Sequence, residues 1–247
     1  IYLLTFMDWR NIWINISFII LLLPIVSYFL IQKIKLGSRE IDKNNKINIK
    51  IKNWKRVEVI KDYRFYIVCA NMLAMPWIAT GIFVYQSFIL SSKNWGPYVI
   101  AQSFMVYSIL SVITLFIAGY LIDKFSSRKL LIYMNLPFLL SLILITVFDD
   151  PVISFLFLGL IGISNGLANV LGSSTWAEVY GVKHIGSIKA LTTSLMVFST
   201  AFGTAVFGLL IDNGFSIEEI SIISGTYVFL ALIALLFVTN KLNPIKI

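Results

Sequence analysis

A short charged segment between two long apolar runs, GYLIDKFSSRKL (residues 119–130), holds the side chains best suited to specific electrostatic contacts. A carboxylate at the C-terminal end of a helix is unfavourably placed in the helix dipole, so we expect Asp123 to pair with a base or helix N-terminus elsewhere. Gly119 would let two helix backbones approach closely. Three bases follow Asp123: Lys124, Arg128 and Lys129. A simple cytoplasmic anchor explains these bases but not Gly119 with Asp123.

Uncharged polar residues at helical spacing are the candidates for solute binding. A charge at the centre of a membrane span costs about 2.5–3.5 kcal/mol, and every charged residue here lies at or near the end of an apolar run. We therefore expect any substrate-pairing base or coupling acid to lie outside this chain. The predicted cavity residues are Asn71, Tyr85, Gln86, Gln102, Tyr107, Ser111, Asn165, Asn169, Thr193 and Thr200.

These candidates differ in strength. Asn165 and Asn169 lie one helical turn apart, and a carboxamide facing lipid is costly, which favours a functional role. Ser and Thr in membrane helices commonly bond their own backbone or a neighbouring helix. For Tyr85, Gln86 and Gln102, a place in the aromatic belt at the membrane surface is the alternative.

The elements that position these residues are membrane helices. The chain of 247 residues is 58% hydrophobic and 13% charged, with a mean hydropathy of +0.87, which excludes a soluble domain. Runs of about twenty apolar residues are long enough to cross a bilayer. We predict an all-α integral membrane protein with spans at 11–32, 66–90, 100–121, 130–148, 152–173, 187–210 and 219–240.

The charges sort by loop and predict the topology. Alternate loops, with their helix ends, hold 18 of the 20 Lys and Arg residues, and the other side has only Arg10 and Lys93. Since basic residues near spans stay cytoplasmic, the 33–64 loop and the C-terminus are predicted to face the cytoplasm. The net charge of +8 follows from this topology, and we expect no nucleic-acid partner.

The second half of the 33–64 loop, NWKRVEVIKDYRFY, has two interpretations. One is a basic amphipathic helix on the inner leaflet, with Trp54, Val57 and Ile60 facing lipid. The other is a solvated connector.

The sequence shows no arrangement of residues that is typical of catalysis or metal binding. Cys69 is the only cysteine, and His184 is the only histidine, in a loop where nothing nearby completes a ligand set. We find no nucleophile with a base and no paired carboxylates at membrane depth. We therefore expect no cofactor, no metal and no enzymatic activity.

The 119–130 segment resembles the loop motif of the major facilitator superfamily, G-x-L-A-D-[RK]-x-G-R-[RK]. Gly119, Leu121, Asp123, Lys124 and Arg128 match, while Ser126 replaces the usual second Gly and Ser127 a usual Arg. In that family the loop joins helices 2 and 3 and, more weakly, helices 8 and 9. Segment 176–186, WAEVYGVKHIG, resembles the loop between helices 10 and 11.

The resemblance implies a domain organisation. Residues 1–32 would end the N-terminal transporter half (a stub of helix 5, then helix 6), 33–64 would be the basic cytoplasmic linker, and 65–247 would form the C-terminal six-helix half. We therefore expect a piece of a longer protein. The strings GYLID (119–123) and GLLID (208–212) end spans three helices apart, as an inverted repeat would.

The resemblance also implies a mechanism, alternating access by two six-helix halves. Family helices 7, 8, 10 and 11 would line the cavity, with 9 and 12 outside. The 119–130 loop would latch the cytoplasmic side, with Asp123 meeting the end of helix 5 and Arg128 near Glu178 as a supporting pair.

We expect a small polar or organic-anion substrate, a coupling ion as a further partner, and the inner membrane of a bacterium as the location. A seven-helix receptor, or another membrane protein without transport activity, is the alternative. A receptor would need an outer binding face, and the loops on that side are short.

Overall fold

The computed structural model describes residues 6–33, 52–96 and 98–243, with the backbone alone for 30–33. The chain forms two compact units, Ile1–Ile49 and Lys50–Ile247. All regular structure in the described ranges is helical.

Over residues 6–33, the described part of the first unit, there is one helix, α1 (Trp9–Lys33), with Pro24 inside it. Its described side chains are almost all exposed and mostly apolar, including Phe18, Leu22 and Phe29. Residues Trp9–Phe29 are long and apolar enough to cross a membrane.

The second unit contains nine helices in its described residues, and six stretches of it are long and apolar enough to span a membrane. The predicted seven-span membrane architecture is therefore confirmed. The helices are α2 (Arg56–Ile60), α3 (Tyr63–Val84), α4 (Gln86–Ser92), α5 (Val99–Phe125), α6 (Ser127–Met134), α7 (Leu136–Val147), α8 (Ile153–Tyr180), α9 (Ile185–Asp212) and α10 (Ile217–Thr239).

Two predicted spans are interrupted. The 66–90 span breaks at Tyr85, between α3 and α4. The 130–148 span begins earlier, at Ser127, and breaks at Asn135, two residues before Pro137. Proline lacks the N–H that would continue the helix, which explains the second break. Pro76, in contrast, lies inside a continuous α3.

Glycines set the closest helix contacts. α5 packs most extensively against α8, and α3 packs against α9. On α8, Gly162 and Gly166 lie against the backbone oxygens of Tyr107 and Ser111, where a Cβ would collide. Gly203 on α9 likewise lies against the backbone of α3. Small residues at these positions allow the backbones to touch.

The spans alternate in direction, so their ends form two surfaces. We name the surface with the 119–130 segment the motif end and the opposite one the far end. The motif end carries the helix termini Tyr63, Phe125, Ser127, Tyr180, Ile185 and Thr239, and the far end carries Ser92, Val99, Val147, Ile153, Asp212 and Ile217.

The most exposed helices of this unit are α5 and α9, whereas α7 and α10 are more buried. The resemblance implied that family helices 9 and 12 lie outside the cavity, and this stays a prediction, because the burial is that within one unit. A uniformly apolar helix packs equally well against protein or lipid, so its composition does not reveal its neighbours.

Candidate functional site

A cavity of about 440 Å³ opens among α3, α5, α8 and α9. Apart from Met134 at the end of α6, all its lining residues belong to these four helices. They correspond to family helices 7, 8, 10 and 11, the set that the resemblance implied. Its volume falls within the usual range of small-molecule sites, about 300–1,000 Å³.

The two long walls of the cavity differ in chemistry. Asn165, Asn169 and Ser173 lie four residues apart on α8, so they form one polar line along that helix. The α3 wall is apolar apart from one hydroxyl, Thr80. The remaining polar side chains of the lining are Tyr107, Lys189, Thr192 and Thr193.

Four predicted cavity residues line this space: Tyr107, Asn165, Asn169 and Thr193. Ser111 lies just behind the lining, where its hydroxyl accepts a hydrogen bond from Asn165 Nδ2 at 3.0 Å. This contact orients the Asn165 amide. Contact of any of these residues with a substrate stays a prediction.

Besides Ser111, five predicted residues do not line the cavity. Gln86 and Gln102 are exposed near the far end, and the Tyr85 hydroxyl lies against Gly208. Thr200 donates to the carbonyl of Val197 at 2.7 Å, the local backbone bond that short hydroxyl side chains favour. The fifth residue is Asn71.

Asn71 joins helices instead. It is fully buried, and Asn135 Nδ2 donates to its carbonyl oxygen at 2.6 Å and to its Oδ1 at 3.1 Å. The acceptor residue lies in α3 and the donor at the α6–α7 break. Spacing alone placed Asn71 on a polar face of the helix, but this face packs against protein.

Sequence reasoning missed Lys189, Ser173, Thr192 and Thr80 as lining residues. Extending the Asn165–Asn169 spacing by one turn would have found Ser173. Lys189 lies near a span end, as expected, yet it lines the cavity. The expectation that any substrate-pairing base lies outside this chain stays untested, but Lys189 shows that a span-end side chain can reach the cavity.

At the motif end, Arg128 and Glu178 form an ion pair, with 2.9 Å between Nε and Oε1. The other carboxylate oxygen of Glu178 accepts hydrogen bonds from the Ser127 backbone N–H at 2.9 Å and the Ser127 hydroxyl at 2.5 Å. Glu178 thus fixes the first turn of α6, where a negative charge is favourable. Arg128 also donates to Asn243 Oδ1 at 2.6 Å, which ties the chain after α10 to this loop.

Ser126 connects α5 to α6 with φ +75° and ψ 144°. Gly181 adopts a similar conformation (φ +82°, ψ 168°) where α8 ends. This region is essentially confined to glycine, and Ser126 occupies the position where the family motif has its second glycine. Its hydroxyl is also buried without a hydrogen-bond partner among the described residues.

The remaining charged residues of the motif are exposed on the surface of this unit. Asp123, Lys124 and Lys129 are exposed, and the Asp123 carboxylate has no partner within the described residues. The expected close approach at Gly119 is not present, since no described neighbour lies within 4 Å of a Cβ built there. The face of α5 that carries Gly119 is uncovered in this unit.

Of the two interpretations of the 53–66 segment, the first, a continuous surface helix, is not present. Only one short helix, α2, occurs in the described part of the linker. Trp54 does not face outward, because it packs edge-on against Tyr180 with ring centroids 5.5 Å apart, while Val57 and Ile60 are exposed. The part of the predicted linker at residues 34–51 lies outside the described residues.

Hydrogen bonds of Asp62 and Arg64 anchor the linker to the motif end. Asp62 caps α3 through the Arg64 N–H and accepts a hydrogen bond from the Tyr180 hydroxyl at 3.1 Å. Arg64 forms an ion pair with Asp62 at 2.8 Å and donates to the Lys241 carbonyl at 2.8 Å.

At the far end, Lys93 lies between two acids. Its Nζ is 2.6 Å from both Asp149 Oδ1 and Glu218 Oε1, and its side chain is 1% exposed. Burial lowers the pKa of the Lys93 ammonium, but the hydrogen bonds to the two carboxylates outweigh it, so the pKa lies above its usual value. This triad connects the end of α4, the α7–α8 loop and the start of α10.

Comparison with known proteins identifies the family. A family model described as Major Facilitator Superfamily matches residues 66–246. No curated protein and no solved structure matches the chain. The family match covers well over half of the chain, including the cavity, the motif and the triad. The chain is therefore a multi-pass membrane protein of the major facilitator superfamily, whose members transport small molecules across lipid bilayers.

Proposed function

We propose that the chain carries a small polar or organic-anion solute across the membrane by alternating access. The observation that supports this best is the cavity between α3, α5, α8 and α9, with its polar line on α8. In this mechanism two six-helix halves rock about a central site, and the Lys50–Ile247 unit supplies one half. The other half, which we assign to the same chain upstream, and a coupling ion complete the mechanism.

The motif end faces the cytoplasm in this proposal. The excess of Lys and Arg in the loops at that end supports the orientation. Asp123 serves as the latch acid and meets the other half when the cytoplasmic side closes. Its exposed carboxylate, with no partner in the described residues, is available for that contact. We place the protein in a bacterial inner membrane.

Accessibility of a cavity residue from the two sides of the membrane tests alternating access. In the full-length protein with Cys69→Ala, Thr193→Cys is exposed to a membrane-impermeant thiol reagent added to one side of oriented vesicles. We expect reaction from either side, because the cavity opens to each in turn. Phe237→Cys, on α10 and away from the cavity, is the control and should stay unreactive in lipid. Reaction of Thr193→Cys from one side only would overturn the proposal.

A further inference from the structure

One charged side chain in the cavity remains without an assigned role. Among the described lining residues, Lys189 alone carries a formal charge. Its ammonium donates to Ser173 Oγ at 2.9 Å, and no carboxylate of the described residues forms an ion pair with it. The cavity therefore has one uncompensated positive charge.

The position of Lys189 strengthens the local positive potential. It is the fifth residue of α9, about one helical turn from the N-terminus at Ile185. The helix dipole places partial positive charge there and disfavours a cation, while it favours an anion. A bound anion would thus be attracted by both the ammonium and the helix end.

The neighbouring groups give the cavity a polar wall and an apolar wall beside this site. The line of Asn165, Asn169 and Ser173 on α8 ends at Lys189. Facing it, the α3 wall presents flexible, polarisable side chains, among them Met72 and Met75. Methionine adapts to apolar groups of varied shape.

We propose that this site binds an organic monoanion with an apolar body. Lys189 and Ser173 hold the single anionic group, the asparagines contact polar atoms next to it, and the α3 wall takes the apolar part. One uncompensated positive charge matches one negative charge. This inference rests on the proposed transport function, because it assigns the solute class of the same cavity.

Binding measurements with charged and uncharged analogues test the assignment. The purified full-length protein is titrated with benzoate, cinnamate and octanoate, and with the amide of each acid. We expect at least one carboxylate to bind more tightly than its amide. Lys189→Gln should weaken carboxylate binding about three- to tenfold, since the lysine is partly solvated, and should leave amide binding unchanged. Lys189→Arg should restore the preference.

Lys183→Gln is the matched control, since it removes an exposed lysine at the same end that does not line the cavity. Retained amide binding by Lys189→Gln shows that the variant is folded. The proposal is overturned if no carboxylate binds better than its amide, or if Lys183→Gln and Lys189→Gln behave alike. Reaction of Thr193→Cys from both sides would still support transport in that case. If a carboxylate binds better than its amide but Thr193→Cys reacts from one side only, the anion site is supported and alternating access is overturned.

Discussion

Lys93 Nζ lies 2.6 Å from Asp149 Oδ1, although the two residues are 56 positions apart in the chain. Glu218 approaches the same ammonium at 2.6 Å from a third segment. Trp95 Nε1 donates to the Asp149 backbone oxygen at 2.6 Å. These contacts join the end of α4, the α7–α8 loop and the start of α10. The buried Lys93 ammonium therefore connects three segments at the far end.

The members of this triad should contribute unequally to stability. Lys93→Met keeps the unbranched stem and leaves carboxylates that are 79% and 37% exposed and can hydrate, so we expect a loss of about 1 kcal/mol. The double variant Asp149→Asn, Glu218→Gln leaves a buried ammonium without a counter-ion, which should cost about 3 kcal/mol or more. Thermal unfolding in detergent measures both. Equal losses would contradict the burial argument.

The triad should also make stability depend on pH on the alkaline side. The folded-state pKa of Lys93 is raised above its ordinary value, so its stabilisation is fully present below the unfolded pKa, about 10.4. It is lost as the pH rises through the folded pKa. The difference in melting temperature between wild type and Lys93→Met should be constant from about pH 7 to 10 and shrink above that. A difference that grows with rising pH would have the wrong sign.

Ser126→Gly should stabilise the protein. Ser126 has φ +75°, where an L side chain is strained by about 1–2 kcal/mol, and its hydroxyl is buried without a partner in the described residues. Glycine removes both costs, so we expect a gain of about 1–2 kcal/mol in thermal unfolding. The neighbouring control, Ser127→Gly, should destabilise, because the Ser127 hydroxyl donates to Glu178. Loss of stability in Ser126→Gly would show that the loop is not strained there.

Two glycines of α8 should respond oppositely to alanine. At Gly162 the new Cβ meets the Tyr107 backbone oxygen, and the helices must separate, at a cost of about 1–3 kcal/mol. At Gly172 nothing described lies within 4 Å, and alanine improves helix propensity by up to about 1 kcal/mol. Melting temperatures of the two variants compare them directly. Similar behaviour would place the close α5–α8 contact elsewhere.

Asp123→Asn should open the cytoplasmic side. If Asp123 latches the closed state, its neutralisation should raise the fraction of molecules with the cavity open at the motif end. The rate at which an impermeant reagent modifies Thr193→Cys from that side, in the Cys69→Ala background, reports this fraction, and we expect an increase of about five- to tenfold. Asp212→Asn, in the similar GLLID string at the far end, is the matched control. Equal rates in the two variants would reduce the motif to a topological anchor.

Much of the fold follows from local sequence. Apolar length determined where spans occur, since about twenty apolar residues are needed to cross a bilayer. The orientation that the loop charges indicate stays a prediction. The interruption at Tyr85 was not predicted, because composition changes little there. The break at Asn135, in contrast, has a local cause in Pro137, which lacks the N–H that would continue the helix.

The cavity residues also divide into those that local sequence predicted and those that it did not. Helical spacing identified Asn165, Asn169, Tyr107 and Thr193, because residues four apart share a helix face whatever surrounds it. Spacing did not reveal which face each helix turns to its neighbours, so Asn71 was assigned to the cavity although it bonds Asn135 within the protein.

The sequence by itself determined the membrane class, the number of spans and the family motif, because each depends on residues close together in the chain. Only the tertiary structure decided which side chains meet across helices. Lys189 reaches the cavity, Lys93 gains two acids, and Ser126 takes a conformation suited to glycine. These relationships depend on helix rotation and packing, which the order of residues along one helix does not specify.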